Sequence, residues 1–222
     1  MRIKLVTLTF LTVFALSGCT YIQKARRADE LEIENSDLRS RITQLQREKT
    51  KEVKQVYEQK ERELSELERA KRELEGSLKK EIGEYKAKLQ MTERGLVITF
   101  ISEIFFDSGK DIIKNDGKLS LDKVAEVLNR DVPDSQVAVE GHTDNDPIKY
   151  SGWKSNWELS SARALAVVHY LIDERRVKPQ RLCANGYGEY HSVAPNDTPQ
   201  NKQKNRRVEI VILPSELSKV KP

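Results

Sequence analysis

The 222-residue sequence is poor in cysteine, histidine and long apolar runs. Its three histidines form no HExxH motif and have no neighbouring cysteine, so the sequence predicts neither a metal site nor a cofactor. Its formal charge of +4 is spread over interleaved basic and acidic residues rather than gathered in one block. This pattern is typical of solvated helix surfaces and argues against nucleic acid as a partner.

Proline is missing from residues 20–94, which are crowded with Glu, Lys, Arg and Gln. Most of the aromatic residues fall in residues 95–213. A segment of charged helix formers cannot bury a sizeable apolar core, whereas the second segment can. The sequence therefore predicts an extended helical part followed by one compact domain.

The only long apolar run, residues 5–16, follows a short basic start and is too short to span a bilayer. Residues 1–18 are predicted to be a signal peptide. The following Leu16-Ser17-Gly18-Cys19 resembles the lipobox of bacterial lipoproteins, which implies that Cys19 is lipidated and that residues 19–21 form a lipid-anchored N-terminus. Thr20, in place of Asp, resembles the lipoproteins exported to the outer membrane. The alternative is an unmodified cysteine beside a secretory cleavage site. With Cys19 lipidated, Cys183 has no partner for a disulfide.

Residues 22–94 are predicted to form an α-helical coiled-coil stalk, with one helix running to about Gln90. Apolar residues recur every seven positions at first and then at spacings of three and four: Leu31, Leu38 and Leu45, then Leu64, Leu67, Leu74, Leu78 and Tyr85, with Ile82 and Leu89 alongside. The two registers do not join, which predicts a change of winding near residues 48–53. We expect a homo-oligomer or a helical partner along this stalk. The alternatives are a lone charged helix and an amphipathic helix that binds another protein.

Residues 95–213 alternate between strand and helix patterns, and residues 214–222 are expected to be a flexible tail. Strands are predicted near residues 96–101, 136–140, 181–185 and 207–213, and helices around residues 121–128 and 156–175. The predicted fold class is α+β, a small βαβαββ-type α/β sandwich with helices on one face of the sheet.

The second helix of this domain is predicted to begin at Asn156, because Ser155 and Glu158 have the spacing of a capping box. Its apolar stripe is predicted at Leu159, Ala162, Leu165, Ala166 and Ile172, with His169 as a core histidine. The residues Asn156, Ser160 and Arg163 fall on another face, where they either line a pocket or are simply solvated.

The segment Gly141-His142-Thr143-Asp144 lies at the carboxyl end of a predicted strand, where α/β sheets tend to place ligand sites. If the strand continues, His142 and Asp144 share one face. Asp144 and Arg163 can approach each other across the connection to the helix. A carboxylate beside a guanidinium suits a ligand with an ammonium and a carboxylate, and the alternative is a salt bridge between the two residues.

Five segments in residues 96–213 resemble the OmpA-like peptidoglycan-binding domain, which also occurs in peptidoglycan-associated lipoproteins and in the flagellar stator protein MotB. The resemblance rests on Phe106-Asp107-Ser108-Gly109, Val139-Glu140-Gly141-His142-Thr143-Asp144-Asn145, Asn156-Trp157-Glu158-Leu159-Ser160-Ser161-Ala162-Arg163-Ala164, Gly186-Tyr187-Gly188-Glu189 and Asn205-Arg206-Arg207-Val208-Glu209-Ile210. Each segment alone is a weak signal, but their shared order and spacing are specific.

The resemblance implies a binding site for the diaminopimelate of the peptidoglycan stem peptide. It implies that Asp144 holds the ammonium and Arg163 the carboxylate of that side chain. The residues that it implies in lining or supporting the pocket are Asp107, Thr143, Asn156, Arg206 and Arg207. Residues 146–154 form a longer connection than in the shortest family members. The resemblance therefore does not define the pocket wall around Trp153.

Together these features predict a non-enzymatic lipoprotein, anchored by lipid in the outer membrane and facing the periplasm, that tethers the membrane to peptidoglycan. One alternative is a wall-anchoring component of a transport or motility machine. Another is an envelope hydrolase in which His142 and Asp144 are catalytic.

Overall fold

The computed structural model describes residues 2–149 and 151–214, with side chains from residue 22 onward. Three predicted features lie outside the described side chains: the signal peptide, the lipidated Cys19 and nearly all of the C-terminal tail. The chain divides into two compact units, residues 1–59 and 60–222. Among the described residues, no helix combines the length and the apolarity needed to cross a membrane.

The N-terminal unit is a single helix, the first part of α1, which spans Arg2–Ser77. Its described side chains up to residue 58 are exposed, including Leu31, Leu38 and Leu45. Salt bridges between residues four apart stabilise the helix; for example, Arg41 Nε lies 3.0 Å from Asp37 Oδ2. The predicted long helix is confirmed as far as Ser77.

The last turns of α1 belong instead to the C-terminal unit, and the prediction of one helix to about Gln90 is wrong. Helix α1 ends at Ser77, and a short helix α2, Lys79–Gly83, follows it. Tyr85 then takes a left-handed φ of 57°, which turns the chain into a strand. The buried residues Leu67, Leu74 and Leu78 pack into the core of this unit, so the second half of the predicted seam packs intramolecularly.

A five-stranded sheet forms the centre of the C-terminal unit, with strand order β1-β2-β5-β3-β4. Only β3 and β4 pair in parallel. The strands are β1 Ala87–Thr92, β2 Gly95–Ile101, β3 Val137–His142, β4 Leu182–Gly186 and β5 Arg207–Ile212. The last four were predicted, whereas β1 lies where the sequence predicted helix.

Helices α3, Asn115–Arg130, and α4, Asn156–Asp173, cover one face of the sheet. Alternate strand residues such as Val139 and Ile210 point into this core and are fully buried. The predicted α+β sandwich is confirmed. A short helix α5, Pro199–Asn205, lies between the last two predicted strands and is capped by Thr198, whose Oγ1 accepts a hydrogen bond from Asn201 N.

The predicted apolar stripe of α4 is confirmed in part, because Leu159 is buried and Ala166 and Ile172 pack partly buried against the core. Leu165 and His169 are exposed, while Ala164, Val167 and Leu171 are buried.

Candidate functional site

The start of α4 is fixed against the sheet by a cap and by two glycines. Ser155 Oγ accepts a hydrogen bond from Glu158 N at 3.4 Å, which confirms the predicted start. A Cβ on Gly141 would lie 2.1 Å from the carbonyl oxygen of Ser160, and one on Gly186 would meet Ser161 equally closely. Only glycine lets the helix approach β3 and β4 this closely. The contact places the end of β3 beside the second turn of α4.

A cleft of about 690 Å³ lies at this junction. Five of the seven residues predicted for ligand binding line it: Thr143, Asp144, Asn156, Arg163 and Arg206. Its other walls come from the turn at residues 108–110 and from the connection after Asp144, including Pro147, Ile148 and Ser151. The sequence-predicted site is therefore largely brought together in one place.

Arg163 is the most deeply held cation of the cleft, with 5% of its surface exposed. Its Nε donates to the carbonyl of Lys110 at 2.9 Å and its Nη2 to the carbonyl of Asp107 at 3.0 Å. Its guanidinium carbon lies 5.2 Å from the centre of the Phe106 ring. Within the part of the chain that the structure describes, no carboxylate forms an ion pair with Arg163. Its charge is thus bound by neutral carbonyls.

The pKa of Arg163 is lowered to about 10, chiefly by burial, with Glu103 opposing the shift and Arg206 adding to it. The group stays protonated at neutral pH. A buried guanidinium without an anionic partner gains more from a carboxylate ligand than a solvated one does. The electrostatics of the cleft therefore favour an anionic group at this position.

Asp144, also 5% exposed, pairs with Arg206 rather than with Arg163. Arg206 Nη1 donates to Asp144 Oδ2 at 2.5 Å, and Arg206 Nη2 donates to Glu103 Oε1 at 2.8 Å. The alternative of a direct Asp144–Arg163 salt bridge is therefore wrong, because carbonyls of the 107–110 turn hold Arg163. The second carboxylate oxygen of Asp144 accepts a hydrogen bond from the backbone N–H of Asp146 at 3.1 Å.

Two further polar groups complete the floor of the cleft. Thr143 Oγ1 is buried and makes no hydrogen bond within the described residues. Asn156 Nδ2 donates to the carbonyl of Asp146 at 3.1 Å and to Glu189 Oε2 at 2.8 Å. The Thr143 hydroxyl is thus buried without a partner beside the cleft, whereas Asn156 mainly holds the connection after Asp144 in position.

Comparison with known proteins decides the family. Residues 105–206 match the model of the OmpA family. This chain belongs to the OmpA family.

The relatives of this OmpA-family chain include motility and wall-anchor proteins. Motility protein B of Bacillus subtilis is 40% identical over 149 residues, which are 67% of this chain and 57% of that protein. The cell wall anchor of the T6SS from Pseudomonas aeruginosa is 29% identical with a TM-score of 0.58, over 64% of this chain and 96% of that one. The periplasmic domain of Helicobacter pylori MotB is 31% identical with a TM-score of 0.55, over 60% of this chain and 87% of that one. This chain spans about half the length of the curated relatives it matches.

The structure places the remaining two predicted residues differently from the prediction. In this OmpA-family domain the Asp107 side chain is exposed and lies 3.4 Å from Lys110 Nζ, so only its backbone carbonyl contributes to the site. Arg207 lies on the opposite face of the sheet, where its Nε donates to Glu209 Oε1 at 2.6 Å. Arg207 therefore does not line the cleft.

His142 also faces away from the cleft, because it points to the same face of β3 as Glu140, opposite the helical core that Val139 enters. Its ring stacks on Tyr187, with ring centres 5.0 Å apart. The condition for His142 and Asp144 to share a face is not met, because β3 ends at His142 and does not continue to Asp144.

Sequence reasoning missed Glu103 and Lys110 as site residues. Glu103 anchors Arg206, from which it is far apart in sequence, and Lys110 contributes only its carbonyl. Trp153 Nε1 donates to the carbonyl of Gly109 at 2.9 Å, which ties the longer connection to the same turn. Any residue type can supply a backbone carbonyl, so the sequence does not indicate these acceptors. The one sequence signal for this turn is Gly109, whose φ of +69° favours glycine.

Proposed function

We propose that the cleft binds peptidoglycan noncovalently by capturing the diaminopimelate side chain of its stem peptide. The observation that carries this proposal is Arg163, a buried guanidinium that lines the cleft and has only neutral carbonyl partners among the described residues. In the proposal the distal carboxylate of diaminopimelate is the anion that compensates it. The family supports this assignment of the ligand.

The ligand's ammonium group is proposed to bind Asp144. One oxygen of that carboxylate already accepts from Arg206, and the other accepts from the Asp146 backbone N–H. A carboxylate has about four lone-pair sites, so an ammonium can add to these bonds without displacing them. Two or three charge-assisted hydrogen bonds, each of about 1.5–3 kcal/mol, support modest affinity at a single site.

At the level of the cell, we propose that the domain anchors an envelope assembly of the motility or secretion kind to the wall. The support comes from relatives named as motility protein B and as the cell wall anchor of the T6SS. A second candidate is a lipid-anchored tether between the outer membrane and peptidoglycan, which rests on the lipobox around Cys19. Labelling cells with a fatty-acid probe distinguishes the two, because only a lipoprotein loses its label on Cys19→Ser.

We further infer that binding proceeds without catalysis. Two positions support this inference: Asp144 lines the cleft, whereas His142 points to the face of the sheet opposite the helical core. Incubation of the chain with purified sacculi should release no soluble muropeptides. Their release would instead support the envelope hydrolase.

A pull-down with purified sacculi tests the site. Arg163→Ala and Asp144→Ala should each weaken binding by roughly tenfold or more, since each removes one side of a charge-assisted contact. Arg130→Ala and Asp173→Ala remove the same charges from exposed positions on α3 and α4 and should bind like the wild type. Undiminished binding by both cleft variants would refute the site.

A further inference from the structure

The face of the sheet opposite the helices carries a buried polar cluster. Glu140 and His142 on β3 and Glu209 on β5 point to this face, because their neighbours Val139 and Ile210 point into the helical core. Glu140 is 2% exposed and His142 is 3% exposed, and the Glu209 side chain is largely buried. Glu140 lies directly opposite Glu209 in the strand register.

His142 is the unexplained member of this cluster. Both of its ring nitrogens are buried, and neither has a hydrogen-bond partner within the described residues. Burial, together with Arg207, His191 and Arg94, lowers the pKa of His142 to about 3, so the ring is neutral and keeps a lone pair for a ligand. Buried polar atoms are nearly always satisfied, and an imidazole without a partner points to a group that completes it.

One ligand atom from each of Glu140, His142 and Glu209 lies within 4.8 Å of the other two. Tetrahedral bonds of about 2.0–2.2 Å to Zn²⁺ would separate the ligand atoms by about 3.4 Å, which small side-chain rotations can reach. We propose that these three residues form a binding site for a divalent transition-metal ion such as Zn²⁺. One imidazole with two carboxylates suits Zn²⁺ better than Mg²⁺, which prefers oxygen ligands only.

Two arginines compete with such an ion. Arg94 Nη2 hydrogen-bonds to Glu140, and Arg94 Nη1 lies 3.9 Å from Glu209 Oε2. Arg94 lies in the turn between β1 and β2 with half of its side chain exposed, so it can move into solvent when an ion binds. Arg207 is buried and donates to Glu209 Oε1, so it remains as a fixed neighbour of the site.

The other groups around the cluster do not block it. Tyr187 Oη lies 3.5 Å from Glu140 Oε1, and the exposed His191 ring lies 6.4 Å from the His142 ring. An ion here would join β3 to β5 next to the cleft, because Thr143 follows His142 and Arg206 precedes Arg207. The site lies on the opposite face of the sheet and stands independently of what the cleft binds.

Zinc titration of the chelator-stripped full chain tests the proposal, in a Cys19→Ser, Cys183→Ser background that removes competing thiols. The expected result is one Zn²⁺ per chain and a higher Tm with Zn²⁺ than without. His142→Gln and Glu209→Gln should weaken binding by roughly 10- to 100-fold. Arg94→Ala should bind more tightly than the parent, because the competing guanidinium is gone.

His169→Gln serves as the matched control, since this histidine is exposed on α4. It should bind Zn²⁺ like the parent. Circular dichroism confirms that each variant folds. Because two ligand variants are used, the other one still tests the proposal if one of them does not fold. The proposal is overturned if no stoichiometric binding occurs, if both folded ligand variants bind like the parent, or if Arg94→Ala binds more weakly.

Discussion

At the scale of single residues, His142 makes folding sensitive to acid. An unfolded histidine takes up its proton near pH 6.5, whereas burial holds the pKa of folded His142 at about 3. The unfolded chain therefore binds more protons between these values, and stability, full above pH 6.5, falls as the pH drops toward 3. The slope contributed by this residue reaches about 1.4 kcal/mol per pH unit.

Urea unfolding between pH 7.5 and pH 5, above the range where most carboxylates titrate, measures this effect. His142→Gln should flatten the decline in the free energy of unfolding. The exposed His169 provides the control, and His169→Gln should keep the wild-type slope. Equal slopes in the wild type and in His142→Gln would show that His142 titrates normally.

The sequence predicted the two central residues of the cleft but not their hydrogen-bond partners. Asp144 and Arg163 line the same cleft, as expected from the strand end and the helix face. The partners differ, because Arg206 binds Asp144 and backbone carbonyls bind Arg163. Such choices depend on the path of loops far apart in sequence, and residue spacing does not encode that path.

At the scale of elements, the end of α1 is part of the compact unit. Leu74 is fully buried in its core, so Leu74→Ala should lower the free energy of unfolding by about 2–5 kcal/mol. Leu38→Ala makes the same change at an exposed position of the same helix and should have little effect on the unfolding of this unit. Chemical denaturation measures both values. If Leu74→Ala left the free energy of unfolding unchanged, the end of α1 would lie outside the core.

The apolar periodicity of α1 was recognised, but its partner was misassigned. A spacing of three and four residues describes one apolar face and does not distinguish another chain from the protein's own sheet. The break between the two registers, expected near residues 48–53, precedes residue 60, where the second compact unit begins. Strand β1 was missed because Lys88 and Gln90, which are good helix formers, occupy its outward positions.

At the scale of the whole molecule, the exposed leucines of the N-terminal unit predict self-association. Leu31, Leu38 and Leu45 repeat every seven residues on an exposed helix surface, as in a coiled-coil seam. The double variant Leu38→Lys, Leu45→Lys should convert an oligomer into a monomer in analytical ultracentrifugation. Replacement of the exposed Ile33 and Thr43 by Lys adds the same charge off this seam and should leave the oligomer intact. A monomeric wild-type chain at all concentrations would contradict the prediction.

The central claim is that Arg163 binds the distal carboxylate of diaminopimelate. Calorimetric titration of the full chain with two stem peptides, one carrying diaminopimelate and one carrying lysine at the same position, tests it most directly. Lysine keeps the ammonium but lacks that carboxylate, so the wild type should bind the lysine peptide roughly 10- to 100-fold more weakly, and Arg163→Ala should bind both peptides equally weakly. Equal affinity of the wild type for the two peptides would contradict the account.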